Sequence, residues 1–272
     1  MKIAIQGEAG SFSHEAAMKL VPEAEIAPIA LSADVFKALS EGAVDAAVIP
    51  IENSLAGSVL EHFDLLLTHD VRVEREALVR IHHNLIAMPG VTMEEIQRVS
   101  SHPVALAQCR RFLAAHPEME TIAFYDTAGS VKHLMERCDR HAAGIASAAA
   151  ANLYGATILE AGIEDNPENY TRFFLVRRAA ETTVDPGTNK MSVAFALEHR
   201  PGTLVAVLNA LAVLGTNLTK IESRPVHGKP WEYIFYVDCQ IAGPGEADLV
   251  LKVLKNHCST IRELGRYPEA RL

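Results

Sequence analysis

Cysteine is scarce in this chain, with four in 272 residues and no CxxC pair. Cys109, Cys138, Cys239 and Cys258 stand far apart, which fits isolated reduced thiols and leaves no disulfide framework or cysteine-ligated zinc site. Twelve histidines are present without an HExxH or equivalent spacing, so no metal is expected, and His82 and His83 read as opposite faces of one strand. Apolar runs approaching the roughly 18 residues of a membrane span are missing. The opening MKIAIQGEAG has too few apolar residues for a signal-peptide core, so a cytoplasmic protein is expected. Positive charge is short by nine, which argues against a nucleic-acid or anionic-membrane partner. Any bound anion then needs a local cluster of donors. Neither a Walker loop nor GxGxxG is found.

What is there is an ordinary globular composition, 49% apolar and 22% charged, long enough for two domains. Short apolar runs alternate with helical patterns. Strands are expected over 2–7, 45–51, 77–88, 98–101, 121–126, 142–147, 156–162 and 171–178, and helices over 13–21, 32–42, 57–69, 102–116, 126–138 and 147–155. Strands separated by helices imply parallel sheets with crossover connections. The stretch ETTVDPGTNK (181–190) reads as a linker through Pro186 and Gly187. After it, 191–198, 202–215, 217–226, 231–241, 246–258 and 259–267 read β-α-β-β-α-β, the ferredoxin-like order, whose sheet edge commonly pairs with a partner.

Polar residues gather where strands run into helices. GEAGSFSHEAA (7–17) offers Ser11 and Ser13 beside free helix amides, an anion site or a plain cap. IPIENSLAGSV (49–59) sets Glu52, Asn53 and Ser54 at a strand's carboxyl end, with Pro50 expected to shorten that strand. SSHPVALAQC (100–109) and YDTAGS (125–130) repeat the arrangement with His102 and Thr127. Capping accounts for any one junction; four of them, with NYTRF (169–173), equally fit a shared polar cleft. Thr171 and Arg172 are neighbours on a strand and point to opposite faces, so only one faces a given cleft. Arg172 is then a carboxylate clamp or a structural ion pair. In KIESRPVHG (220–228), Glu222, Ser223 and Arg224 stand opposite RPGTLVAVL (200–208), a site for a free amino acid or a solvated surface hairpin.

Taken in order, GEAGSFSHEAA, IPIENSLAGSV, SSHPVALAQC, DTAGS, GIASAAAANLYG and NYTRF, followed by ESRP, resemble bacterial prephenate dehydratase from Met1 to about Tyr267. The resemblance implies an α/β catalytic domain over 1–180, two-lobed like a type 2 periplasmic binding protein. One lobe would be 1–76 with 171–180, the other 77–170, with a regulatory ACT domain over 191–272. It implies cofactor-free conversion of prephenate to phenylpyruvate in L-phenylalanine biosynthesis. Thr171 would donate to the leaving hydroxyl, with Glu52 or His102 as alternative acids. Ser11, Asn53, Ser54, Thr127 and Arg172 would bind substrate. L-phenylalanine would regulate from Gly202, Thr203 and Leu204 with Glu222, Ser223, Arg224 and Pro225. Many members read G-A-L where this chain has Gly202-Thr203-Leu204, which alters what that motif offers an effector. A homodimer or homotetramer is implied, and a monofunctional enzyme, since the first strand begins at Lys2 with no chorismate mutase helix before it. Arogenate dehydratase, acting on the amino-acid analogue, and a non-catalytic amino-acid sensor are the alternatives.

Overall fold

Ile3, Ala4 and Ile5, all fully buried, form the centre of β1 (Lys2–Gln6) in the computed structural model, which describes residues 1–226 and 232–271. The helix α1 (Phe12–Leu20) follows. β2 (Glu25–Ile29) is a strand that the sequence hides, because Pro28 breaks its pattern; among the described residues β2 pairs with β1 alone, at an edge where proline is tolerated. After α2 (Ser32–Ser40) comes β3 (Ala46–Asn53), which Pro50 does not shorten. Its pairing with β1 ends at Val48 and its pairing with β4 (Gly57–Ser58) begins at Glu52, so the proline falls between the two ladders. β4 takes the first residues of the expected helix 57–69, leaving α3 (Leu60–Thr68).

The expected strand 77–88 is two, β5 (Val71–Arg80) and β6 (Asn84–Ala87). His82 and His83 lie in the break between them, not in a strand. β7 (Arg98–Ser101) is as expected, whereas the helix 102–116 divides at Cys109 into α4 (Pro103–Gln108) and α5 (Arg110–Ala115). The Asp165 carboxylate accepts from Arg110 N at 3.1 Å and Arg111 N at 2.9 Å, which starts the second helix afresh. β8 (Glu120–Ala123), α6 (Thr127–Arg137), β9 (Ala142–Ala146), α7 (Ala148–Tyr154), β10 (Thr157–Ala161) and β11 (Tyr170–Arg178) match their expected positions within a few residues. β12 (Lys190–Ala196), α8 (Thr203–Val213), β13 (Leu218–Pro225), β14 (Tyr233–Gln240), α9 (Pro244–Lys255) and β15 (Thr260–Tyr267) complete the chain. Trp231, and His227 with Gly228 of the KIESRPVHG stretch, lie outside the described residues.

The chain folds into two compact units, Met1–Leu60 with Ala77–Phe173, and Glu61–Glu76 with Phe174–Leu272. The first holds two sheets. In one, β2, β1 and β3 run parallel, with β11 beside β3; in the other the order is β10-β6-β9-β7-β8. The parallel expectation fails for β6, which is antiparallel to both β9 and β10, because the chain enters it from β5 through three residues with no crossover helix. The second sheet is covered on both faces. Leu85, Val99 and Ile145 pack with Phe112 on one side; Ile86 and Ala146 meet Ala128, Val131 and Ala150 of α6 and α7 on the other. Burying each large side chain contributes roughly 1.5–3 kcal/mol and holds the strand ends that carry the polar residues.

In the second unit β12, β13, β14 and β15 are antiparallel in the order β13-β14-β12-β15, the ferredoxin-like arrangement. Met191, Val193 and Phe195 pack against Val207, Leu211, Val250 and Leu254 of α8 and α9. The opposite face of the sheet covers α3, with Tyr236 and Phe63 rings 4.8 Å apart. Arg262 donates to the carbonyls of Leu67 and His69, satisfying the end of α3.

Candidate active site

Within the first unit a cavity of about 440 Å³ is walled by both sheets' connections. The turn after β1 brings Ser11 and α1 brings Ser13, β3 and β11 bring Asn53 and Thr171, the β5–β6 break brings His83, α4 with its cap brings Gln108 and His102, and α6 with its cap brings Thr127 and Asp126. Each arrives for a local reason. Gly7 and Gly10 turn the chain with φ of +93° and +86°, values that favour glycine, and Ser11 then caps α1 by accepting from His14 N. A side chain at Gly10 would press on Ala150 Cα at 2.8 Å, so the turn also needs glycine to lie against α7. His102 and Asp126 cap α4 and α6, accepting from Val104 N at 3.3 Å and Gly129 N at 2.7 Å.

A ring of three amides underlies the cavity. Leu55 N and Ala56 N donate to Asn53 Oδ1 at 3.0 and 2.8 Å, so that oxygen is the acceptor end and Nδ2 must donate. Asn53 Nδ2 donates to Asn169 Oδ1 at 2.8 Å and to Thr171 Oγ1 at 2.9 Å. Asn169 Nδ2 donates to Gln108 Oε1 at 3.0 Å, and Gln108 Nε2 closes the ring on Asn53 Oδ1 at 3.4 Å. Two consequences follow. Thr171 Oγ1 is an acceptor from the protein, which leaves its own hydrogen available to a ligand. His83 Nε2, 2.9 Å from an oxygen that can only accept, carries the ring proton in the neutral imidazole.

The cavity is poor in full charge. Among the described lining residues there is one carboxylate, Asp126, and no lysine or arginine. Burial pushes Asp126 above the usual carboxylate range, with the nearby Glu8 charge adding to it. Burial also holds His83 below the usual imidazole range. Beside the cavity, burial tends to raise Glu8, but hydrogen bonds from Lys132 and Tyr125 outweigh it and leave Glu8 below its ordinary value. A small anion therefore meets hydroxyls, amides and the first turns of α1 and α6.

Of the residues singled out in the sequence, Ser11, Asn53, Thr127, Thr171 and His102 line the cavity; Ser54, Arg172 and Glu52 do not. Ser54 is turned to the chain before β11, accepting from Tyr170 N at 3.0 Å and donating to Glu168 O at 3.2 Å. Strand alternation sends Thr171 and Phe173 to the cavity and Arg172 away from it, buried, with Nη1 3.9 Å from Glu52 Oε2. Sequence reasoning missed His83 and Gln108 as members of the site, and gave Asn169 and Asp126 no role of their own although NYTRF and YDTAGS were read as bordering a cleft. A cap signal marks Asp126, whereas Gln108 sits on a helix with nothing local to distinguish it.

The residues considered for an effector divide. Gly202 starts α8 at φ +84°, and Thr203 Oγ1 donates to Glu198 O and Arg200 O at 3.1 and 3.0 Å. Thr203 and Leu204 border a small cavity of about 70 Å³ with Tyr233 and Phe235. Ser223 and Pro225 pair with Phe235 and Tyr233. Glu222 and Arg224 are on the other face of β13, the one toward α3: Arg224 pairs with Asp64, and Glu222 stands 3.7 Å from Lys220 Nζ. Alternation again separates adjacent residues.

The family model described as prephenate dehydratase matches residues 3–181. Arogenate dehydratase/prephenate dehydratase 2 of Arabidopsis thaliana is 38% identical, over 98% of this chain and 73% of that protein. The crystal structure of prephenate dehydratase from Arthrobacter aurescens in complex with L-Phe superposes with a TM-score of 0.89 at 33% identity, over 99% of this chain and 90% of that one. A structure titled GqqA, a quorum quenching acylase, gives the same TM-score at 31% identity over 98% of both chains.

Proposed function

The chain belongs to the prephenate dehydratase family, and from that premise we propose that it converts prephenate to phenylpyruvate, carbon dioxide and water on the route to phenylalanine. Prephenate loses its ring hydroxyl as the ring carboxylate departs as carbon dioxide; the electron pair of the breaking carbon–carboxylate bond enters the ring and the carbon–oxygen pair leaves with the hydroxyl. One proton is consumed and the ring becomes aromatic, which supplies the driving force. The protein needs mainly to orient the ring, hold two carboxylates and assist the leaving oxygen.

The observation that carries this reading is the Thr171 hydroxyl, held by Asn53 with its hydrogen unspent at the wall of the cavity. We assign Thr171 the donor role. A threonine hydroxyl is a weak acid in water, so the role depends on fixed orientation and excluded solvent, which the amide ring favours. Ser11 and Thr127 are assigned to substrate and Asn53 to holding the Thr171 hydroxyl, with His102 the second donor within the cavity. Arogenate shares the reacting ring, and the Arabidopsis relative bears both names, so it is the second substrate to test. The acylase title on an equally similar fold means that fold alone does not choose the chemistry.

We further assign the two lobes of the first unit to the type 2 periplasmic-binding-protein class and residues 191–272 to an ACT domain in a cytoplasmic bacterial enzyme. L-phenylalanine is the proposed effector, supported by its presence in the Arthrobacter complex. A homodimer or homotetramer is supported by Val205 and Val213 on α8, Ile221 on β13 and Leu249 on α9, all exposed apolar residues of the second unit. The deciding experiment gives prephenate to the purified protein and follows phenylpyruvate by its absorbance in alkali, with arogenate assayed separately for phenylalanine. Turnover of prephenate well above the spontaneous rate is expected; none of either substrate by folded protein overturns the assignment.

A further inference from the structure

Asp126 is the one carboxylate among the described residues that line the cavity, and no lysine or arginine borders it there. Beside the cavity Glu8 and Lys132 pair with each other at 3.0 Å, so the net charge of this wall is that of Asp126. Its side chain has a structural task, capping α6 by accepting from Gly129 N at 2.7 Å, and the backbone of Glu8 donates to it as well. A carboxylate offers about four lone-pair positions, so both contacts leave room for a third donor. The residue is only half-buried, and its Oδ2 lies against Gly7, itself in the cavity wall, where any Cβ would collide with it. Burial pushes the carboxyl up, and a cation beside it favours the charged form that burial opposes.

The position suits one end of the substrate. Thr171 is on β11 and Gly7 follows β1, with β3 between those strands, so two strand spacings, roughly 10 Å, separate them across the sheet. The leaving hydroxyl and the three-carbon arm stand at opposite ends of the substrate ring, and a hydroxyl at Thr171 sends the arm toward Gly7, Asp126 and Thr127. In prephenate that arm carries a keto group; in arogenate it carries an ammonium one carbon away from the arm's carboxylate. Thr127 and the first turn of α6 offer donors to a carboxylate, and the residue just before them offers an acceptor to an ammonium. Prephenate brings two negative charges and no cation to a wall that is already negative. We propose that Asp126 is the specificity-determining residue of this cavity, its carboxylate receiving the α-ammonium of arogenate and placing that substrate at least level with prephenate, an inference that rests on the dehydratase reading.

Asparagine and serine cap helices as well as aspartate does, so Asp126→Asn and Asp126→Ser remove the charge and keep the cap. Values of kcat/KM on arogenate and on prephenate are measured for the unsubstituted protein and both variants, together with melting temperatures. The unsubstituted protein is expected to use arogenate at least as efficiently as prephenate, and each variant to lower the arogenate-to-prephenate ratio by about tenfold or more. A capping role alone alters both substrates together, so an unchanged ratio in the folded variants would overturn the proposal. Turnover of prephenate without arogenate would overturn it while leaving the dehydratase reading in place; turnover of neither would remove both.

Discussion

At Thr171 one atom accepts from Asn53 and is left to donate, so the side chain can be tested for the hydroxyl alone. Thr171→Val keeps the shape and removes the donor; kcat on prephenate is expected to fall by about 10²-fold or more, and Thr171→Ser to recover part of it. A valine variant with near-native kcat would move the donor role to His102. The residues legible in the sequence were those at strand-to-helix junctions, where Ser11, Asn53, His102 and Thr127 are marked by cap and turn chemistry within a few positions. Gln108 and Asn169 carry no such mark, since what makes them part of the site is each other and Asn53, 55 and 116 positions from it in the chain. Arg172 shows the reverse case: a conspicuous residue beside a site residue, turned away by the alternation of the strand that carries both.

At the level of elements, the turn between β1 and α1 is fastened to the helices of the second sheet. Ser147 Oγ donates to Gly10 O at 2.6 Å, Tyr154 OH to Ala9 O at 2.8 Å, and Tyr125 and Lys132 donate to Glu8 at 2.8 and 3.0 Å. Glu8 titrates below its ordinary value in the folded chain, so this contribution to stability is present above the unfolded carboxylate value of about 4.5 and is lost as pH falls through the folded one. Glu8→Gln is therefore expected to show a shallower loss of melting temperature between about pH 5 and pH 3 than the unsubstituted protein. An identical slope would mean that the turn is held by Ser147 and Tyr154 alone. Strong periodic segments such as β1, α6 and β11 were readable because their buried faces repeat at the right spacing. β2, β4 and the break at Cys109 were not, because each depends on a partner: an edge that tolerates Pro28, a two-residue ladder on β3, and a carboxylate from Asp165.

For the whole molecule, the proposed link between effector and catalysis is open to a direct measurement. Millimolar L-phenylalanine is expected to lower prephenate turnover, and Thr203→Ala, which removes the hydroxyl bonded to Glu198 O and Arg200 O, to shift the half-inhibitory concentration by at least about threefold. Unchanged kinetics in both proteins would remove the effector assignment. The make-up of the second unit also bears on how the chain is born. Residues 61–76 belong with 174–272, and Phe63 and the end of α3 find their cover in Tyr236 and Arg262. A ribosome adding about 5–20 residues per second releases that helix roughly 10–30 s before it makes the strands that shelter it. An apolar surface that emerges early is thus among the last to be buried, and until synthesis nears its end the nascent chain carries an exposed segment that holding chaperones can recognise.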